Sequence, residues 1–433
     1  MTATRMFATG ALEDLAPEAR RALMDRAASR SPDVRSRTAA IIDDVRERGD
    51  GALRDMAREF DHVALETIDV PRSTWGDALD RLDASVRRAL ERAARNIADA
   101  HRAFLPVATE FVTADGVTIG RRPDPLGRVG VYAPGGRAAY PSSLLMGAVP
   151  AKIARVGEVI VCSPPGAAGV PSDVVLAAAE VAGVDAVFAC GGAGAVAAMA
   201  YGTVSVRRVD RIVGPGNAYV AEAKLQVAGL VGIDAPAGPS ELLVIADGTQ
   251  DAGAVALEVI AQAEHDPLAA VIVVSTDARW ADDVGARIVA CAHTAARAEV
   301  IGEALRARGA VLVARDIDAA VEFASAFAAE HVMLATARPR EILPRIRNAG
   351  TVFLGVESSV TFGDYLTGAN HVLPTGGMAR AYSGLSTLDF VRWTTYQCVD
   401  RAAATRLAND VAALADAEGL PGHTAAARQW STT

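Results

Sequence analysis

Four separated stretches of the chain carry side chains that bind metals or transfer protons. They are Gln262–His265, Glu330–His331, Asp364–His371 and Glu418–His423. The chain has only seven histidines, and these stretches contain His265, His331, His371 and His423. Because imidazole is a versatile metal ligand with an unperturbed pKa near neutrality, the stretches together predict a metal-assisted enzyme.

The first stretch places an amide and an imidazole on one side of a helix. Gln262 and His265 are three residues apart in a helix predicted over 252–265, so both side chains project from one face and can reach one cation. Without its context, such a pair is more often a structural hydrogen-bonded pair than a metal site.

The second and third stretches lie at predicted turns. Glu330 and His331 end a helical run and begin a strand, a place where α/β sheets gather active-site residues. There a carboxylate and an imidazole can both act as bases, although a solvated Glu beside a capping His is a simpler reading. Asp364 and His371 share a Gly-rich loop that can place a carboxylate ligand; an Asx-turn would also explain Asp364.

Two glycine turns favour a dinucleotide. Gly192–Ala197 matches G-x-G-x-x-A after a predicted strand, and Asp210 follows near the expected place of a ribose-binding acid. Gly214–Asn217 opens a helix predicted over 218–227, whose N–H groups would suit a pyrophosphate. A tight packing turn explains either motif equally well when it is taken singly.

The elements that must position these groups follow an α/β pattern. Residues 16–104 are predicted to be almost entirely helical, and the end from Thr387 is predicted to be mainly helical. Between them, short β-branched runs alternate with Ala-rich helices, which predicts βαβ units and parallel sheets. The predicted strands are 128–132, 159–162, 186–189, 242–246, 270–274, 310–313, 331–334 and 351–354.

Composition narrows the class of protein. The formal net charge of −9 over 433 residues argues against a nucleic-acid binder, which needs a clustered basic surface. No apolar run reaches the roughly 18 residues of a membrane span, and the start lacks the pattern of a signal peptide. The four cysteines form no CxxC pair and are predicted to be reduced thiols of a cytoplasmic protein.

Seven segments in collinear order resemble the histidinol dehydrogenase family. They are Val129–Gly136, Tyr140–Ser143, Gly214–Val220, Ala237–Glu241, Gln262–His265, Ala329–His331, and Gly363–Tyr365 with Asn370–Thr375. The resemblance implies an α/β fold with two Rossmann-like domains built on parallel sheets. Its implied divisions are a helical N-terminal arm (1–27), a first domain (28–132 and 243–386) with the zinc and catalytic residues, a second domain on the NAD side (133–242), and a helical C-terminal dimerisation arm (387–433).

The same resemblance implies a reaction and its residues. The reaction is the zinc-dependent, NAD-linked, four-electron oxidation of L-histidinol to L-histidine through L-histidinal, the last steps of histidine biosynthesis. One zinc per subunit would be held by Gln262, His265, Asp364 and His423. Glu330 and His331 would be catalytic, Ser240, His371 and Glu418 would contact the substrate together with the catalytic and zinc-binding residues, and Tyr132, Gly194 and Asn217 would bind NAD. The family is homodimeric, and its C-terminal arm completes the partner's active site.

Two departures keep a second substrate open. Gly194 stands where the family usually has a Gln that contacts NAD, and the segment Arg392–Gln397 is similar to relatives that oxidise other polyols, such as sulfopropanediol. Glu418 suits a cationic amine and favours histidinol. A metal-dependent hydrolase would form no NADH, and a non-catalytic binding protein would have no use for Glu330 and His331.

Overall fold

The computed structural model describes residues 6–26, 31–135 and 139–431. The helices are α1 (Pro17–Met24), α2 (Pro32–Arg48), α3 (Asp50–Phe60), α4 (Ser73–Arg81), α5 (Ala84–Ala103), α6 (Pro141–Ile153), α7 (Asp173–Ala182), α8 (Gly192–Tyr201), α9 (Ala218–Val227), α10 (Ala252–Ala263), α11 (Ala278–Thr294), α12 (Ala298–Arg308), α13 (Ile317–Phe327), α14 (Pro339–Ile342), α15 (Val360–Tyr365), α16 (Arg401–Ala417) and α17 (Pro421–Arg428). The strands are β1 (Ala8–Ala11), β2 (Thr109–Val112), β3 (Thr118–Pro125), β4 (Arg128–Tyr132), β5 (Glu158–Ser163), β6 (Ala186–Ala189), β7 (Arg211–Val213), β8 (Gly232–Ile233), β9 (Glu241–Ala246), β10 (Ala270–Ser275), β11 (Gly309–Val313), β12 (His331–Ala335), β13 (Thr351–Leu354) and β14 (Val391–Cys398).

A six-stranded parallel sheet has the strand order β1-β11-β10-β9-β12-β13. Its central strands are buried on both faces, which explains why β9 and β10 are continuous apolar runs. Leu242 and Val244 of β9 point into one hydrophobic cluster, and Leu243 and Ile245 point into the opposite one. The N-terminal segment, predicted to be helical, contributes β1 as an edge strand before α1.

A five-stranded parallel sheet has the order β6-β5-β4-β7-β8. Helices α2 to α5 pack on this half, because their apolar side chains share one hydrophobic cluster with β4 to β7. The predicted division grouped 28–132 with 243–386, and this grouping stays a prediction, since the cluster shows only which sheet α2 to α5 cover. Residues 1–5, 27–30, 136–138 and 432–433, which belong to the predicted arms and domains, lie outside the described residues. Helical periodicity gives the buried face of a helix but not the sheet that this face covers.

The C-terminal region adds a third, antiparallel sheet of order β14-β3-β2 and the helices α16 and α17. The predicted α/β fold with two parallel sheets is confirmed, and the C-terminal arm contains a strand besides its helices. Within the described ranges, no helix combines the length and the apolar character that a membrane-spanning helix requires.

Candidate active site

The predicted catalytic residues lie at one edge of the six-stranded sheet. His331 is the first residue of β12, and Ser240 directly precedes its neighbour β9. Both residues therefore stand at the amino edge of the six-stranded sheet. The general rule for open α/β sheets puts ligands at the carboxyl edge, so the basis of the prediction for Glu330 and His331 was wrong although the residues do lie together.

Glu330 and His331 form a buried pair held by one neighbouring strand residue. Their exposed fractions are 7% and 3%. His331 Nδ1 lies 3.0 Å from the carbonyl oxygen of Glu241 and 3.6 Å from Glu330 Oε2. Because a carbonyl can only accept, Nδ1 carries the hydrogen and Nε2 is the basic nitrogen. Nε2 lies 3.9 Å from Asp364 Oδ1.

Burial shifts the proton affinities of this pair in opposite directions. Desolvation lowers the pKa of His331 to about 3, which keeps the imidazole neutral and able to accept a proton. Desolvation also raises the pKa of the Glu330 carboxyl well above its usual range, although the N–H of Glu241 opposes the shift. A carboxyl whose pKa is raised by burial binds a proton more tightly than a solvated carboxyl does.

Gln262 and Asp364 come together beside His331. Gln262 is 1% exposed in the last turn of α10, and its Oε1 atom is buried with no hydrogen-bond partner among the described residues. Burial raises the pKa of Asp364, in α15, to about 7, and a hydrogen bond from Gln262 opposes that shift. His265 follows the end of α10 and is exposed. Among the described residues, no three His, Cys, Asp or Glu side chains lie together in an arrangement that could hold a metal, and the amide of Gln262 is not counted in such a group.

His371 connects the two halves of the molecule. Its Nδ1 donates to the carbonyl oxygen of Asp364 at 2.8 Å, so its Nε2 accepts from the Ser143 hydroxyl at 3.2 Å. Ser143 is in α6, which follows β4 of the five-stranded sheet. Desolvation lowers the pKa of His371 to about 4. A neutral imidazole thus lies between α15, which contains Asp364, and α6, which follows the carboxyl end of β4.

The residues predicted for the cofactor stand at that carboxyl edge. Tyr132 ends β4, and its hydroxyl accepts from the N–H of Gly192 at 3.1 Å. Gly214 follows the adjacent strand β7, and a Cβ there would lie 2.2 Å from the carbonyl oxygen of Tyr132. Only glycine fits this close approach. Asn217 caps α9 by accepting from Tyr219 and Val220 N–H groups, so two of the amides predicted to suit a pyrophosphate are already occupied.

One detail of the predicted dinucleotide motif is wrong. The Asp210 carboxylate accepts from the N–H of Arg128 at 2.9 Å, at the amino end of β4. That edge is opposite to Gly192, so Asp210 is not a ribose-binding acid. A Cβ at Gly194 would lie 2.7 Å from Met56 Sδ. A side chain at position 194 would therefore point toward α3 and collide with Met56, and the glycine leaves the space that Met56 occupies.

The remaining predicted residues, Glu418 and His423, lie on the C-terminal arm. Glu418 follows α16 and His423 is in α17, and both side chains are exposed. Among the described residues, no hydrogen bond or ion pair joins either side chain to Gln262, Asp364 or His331. The structure of this chain therefore brings together Ser240, Gln262, His265, Glu330, His331, Asp364 and His371, with the two arm residues apart from them.

Comparison with known proteins gives the family. A profile for histidinol dehydrogenase matches residues 24–430. The histidinol dehydrogenase of Natronomonas pharaonis is 49% identical over 416 residues, which cover 95% of this chain and 97% of that protein. The chain belongs to the histidinol dehydrogenase family. The relative from Methanosarcina mazei is 44% identical over 392 residues, 90% of each chain. A crystal structure of histidinol dehydrogenase from Elizabethkingia anophelis has a TM-score of 0.94 at 30% identity, and the match covers 99% and 98% of the two chains.

Membership of the histidinol dehydrogenase family confirms the predicted resemblance and an oxidoreductase of this type. Three buried residues that contact the site were not predicted as part of it. Glu241 hydrogen-bonds to Glu330 and His331, Ser143 contacts His371, and Glu258 accepts from the N–H of Val360 at the start of α15. The only sequence signal for Glu258 is its position one helical turn before Gln262, because its partner lies 102 residues away.

Proposed function

We propose that the protein oxidises L-histidinol to L-histidine through L-histidinal, with NAD as hydride acceptor and one zinc per subunit. The observation that carries this proposal is the buried Glu330–His331 pair, whose basic Nε2 faces the Asp364 and Gln262 cluster. Relatives named histidinol dehydrogenase, 43% to 49% identical to this chain, support the substrate.

The donor set fits zinc. Gln262 Oε1 is a buried acceptor with no hydrogen-bond partner among the described residues, and Asp364 is a partly buried carboxyl whose pKa desolvation raises to about 7. Burial of either group costs free energy unless a cation or another partner binds it. Gln262, His265 and Asp364 would hold the metal together with His423 of the partner subunit. When bound, zinc with nitrogen and oxygen ligands would fix the imidazole and amine of the substrate as a Lewis acid.

The protein's own side chains would move the protons. His331 Nε2 would accept the alcohol proton as hydride leaves for NAD. Glu330 would then take a proton from a water that attacks the aldehyde, and a second NAD would accept the second hydride. Ser240 and His371 border the same space and would contact the substrate, and Glu418 of the partner subunit would meet its amine. Enclosure between the two sheets would retain the aldehyde.

NAD would lie along the carboxyl edge of the five-stranded sheet. Tyr132 is the last residue of β4, and Asn217 caps the start of α9. Gly192, which has a positive φ, begins α8 at the same edge. Gly194 has no side chain to contact NAD and would instead form part of the wall of this site, where its backbone packs against Met56.

A homodimer would complete the active site. Exposed apolar side chains are concentrated on the arm: Leu414 is 68% exposed and Val411 45%, and Trp430 is 43% exposed. Val411 and Trp430 line one groove of α16 and α17 together with Leu407 and Ala427. A groove of this kind would be covered by a second copy, which would bring Glu418 and His423 to the partner's cluster. All four cysteines are unpaired, which supports a cytoplasmic enzyme.

Counting NADH tests the proposed function. Purified, zinc-loaded protein is expected to form two NADH for each L-histidinol consumed, with L-histidine as the product. One NADH per substrate would contradict the four-electron reaction. No turnover from folded, zinc-containing protein would move the substrate to another alcohol, for which sulfopropanediol is the first compound to assay.

Mixing two inactive variants tests the arm. In a hybrid dimer of His423→Ala and His331→Ala subunits, one site would contain both intact residues if the arm acts on the partner. Random subunit exchange should therefore restore about a quarter of wild-type activity in a symmetric homodimer. Mass spectrometry must confirm the hybrids. Confirmed hybrids without activity would show that His423 acts within its own subunit.

A further inference from the structure

A buried ion pair lies directly behind Glu330 and His331. Arg26 and Glu241 are each 2% exposed, although they are 215 residues apart in sequence. Arg26 Nε lies 2.8 Å from Glu241 Oε1, and Nη2 lies 3.3 Å from Oε2. Because desolvation offsets the attraction between the two charges, such a pair contributes little to stability. Its role is therefore sought in the groups to which Arg26 and Glu241 hydrogen-bond.

Glu241 holds both catalytic residues through separate atoms. Its backbone N–H donates to Glu330 Oε2 at 2.9 Å, and its carbonyl accepts from His331 Nδ1 at 3.0 Å. Its side-chain Oε2 accepts from the backbone N–H of Glu330 at 3.3 Å. Oε1 accepts from the N–H of Gly376 at 2.8 Å, in the loop that follows His371.

Arg26 fixes the other side of the same turn. Its Nη2 donates to the carbonyl oxygen of Phe327 at 2.7 Å, and its guanidinium carbon lies 3.3 Å from the centre of the Phe327 ring. Phe327 ends α13, and Ala328 after it has a left-handed φ of 55°. The turn that delivers Glu330 to β12 is therefore held between Arg26 and Glu241.

We propose that Arg26 and Glu241 are a positioning pair that fixes the Glu330 backbone and the ring orientation of His331 for proton transfer. The residues do not act on the substrate themselves. The inference rests on the proposed function, since it assigns the supporting residues of that reaction. It also gives the N-terminal segment 6–26 a role in catalysis, although this segment is far from Glu330 and His331 in sequence.

Glu241→Gln tests this role with little change of volume. The two carboxylate oxygens receive four N–H donors: two from Arg26, one from Glu330 and one from Gly376. In either orientation, the amide NH₂ would face two donors, so glutamine cannot replace the carboxylate. With the protein loaded with zinc, kcat should fall about 10- to 100-fold, as for residues that orient ligands in metal sites. The KM values for histidinol and NAD and the zinc content should stay within about 3-fold, because the contacts they depend on are unchanged.

Val284→Ala is the matched control. Val284 is fully buried in α11, in the hydrophobic cluster on one face of the same sheet, and its truncation should lower Tm without changing kcat. If Glu241→Gln lowers kcat no more than Val284→Ala does, the pair serves stability only and the proposal is overturned. Should Glu241→Gln fail to fold, Arg26→Lys carries the comparison, since it keeps the charge but loses the forked contacts.

Hydrogen exchange separates this inference from the proposed function. The amides of residues 328–334 should exchange faster in Glu241→Gln, or in Arg26→Lys, than in Val284→Ala. This measurement needs no substrate, so it decides the inference even if the wild-type protein does not oxidise histidinol. Equal exchange in the two variants would overturn the positioning role.

Discussion

Replacement of His265 by alanine is expected to abolish zinc binding and histidinol oxidation while leaving the fold intact. His265 follows α10 and is exposed, so its truncation creates no cavity. Loss of a residue that only orients a ligand typically costs about 10- to 100-fold in metal affinity, so loss of the ligand itself should cost at least about 100-fold. Metal analysis, Tm and NADH formation on one preparation measure the three consequences.

His293→Ala is the matched control for that substitution. His293 is exposed near the end of α11 and contacts none of the proposed zinc ligands. It should retain zinc and activity. A His265→Ala protein with one zinc per subunit and full activity would refute the assignment of His265 as a ligand, whatever its effect on Tm.

Replacement of Glu330 by glutamine is expected to separate the two halves of the reaction. The glutamine oxygen can still accept from the N–H of Glu241, which now lies 2.9 Å from Oε2, but the side chain can no longer take a proton. Oxidation of L-histidinal should therefore fall by about 10²- to 10⁴-fold, the usual contribution of a general base. Reduction of L-histidinal by NADH needs no activated water and should fall by less than about 10-fold.

Both directions can be followed by NADH absorbance with L-histidinal as the starting compound. Glu322→Gln is the control, because Glu322 is exposed on α13, which leads to the same turn. Equal losses in oxidation and reduction would argue that Glu330 holds the geometry of the site rather than activating water.

Local sequence was sufficient for most elements of this fold. The strands predicted at 128–132, 186–189 and 351–354 have the observed bounds, because buried parallel strands are short apolar runs between turns. The helix predicted over 218–227 is also observed with those bounds, with Asn217 as its side-chain cap. These features depend on interactions between residues close along the chain, which a sequence displays directly.

Predictions failed where a local pattern has several tertiary outcomes. The spacing of Asp210 after Gly192 resembles a dinucleotide motif, yet the structure puts the two residues at opposite edges of the sheet. Helices α2 to α5 show an apolar face, yet only the packed structure assigns that face to the five-stranded sheet. The boundary before His331 was recognised, but the edge of the sheet at which it lies was not.

The sequence by itself determined the family and most strands and helices of the two parallel sheets, and it predicted the residues of the catalytic and zinc-binding set. These follow from motifs and periodicities that extend over a few residues each. Only the tertiary structure decided that Glu330 and His331 meet Asp364 and Gln262 at an amino edge of one sheet, opposite the carboxyl edge of the other. It also placed Arg26 beside Glu241. The physical reason is that a buried polar group must have hydrogen-bond partners in the folded chain. These partners can lie anywhere along the sequence, so the sequence does not show which residues they are.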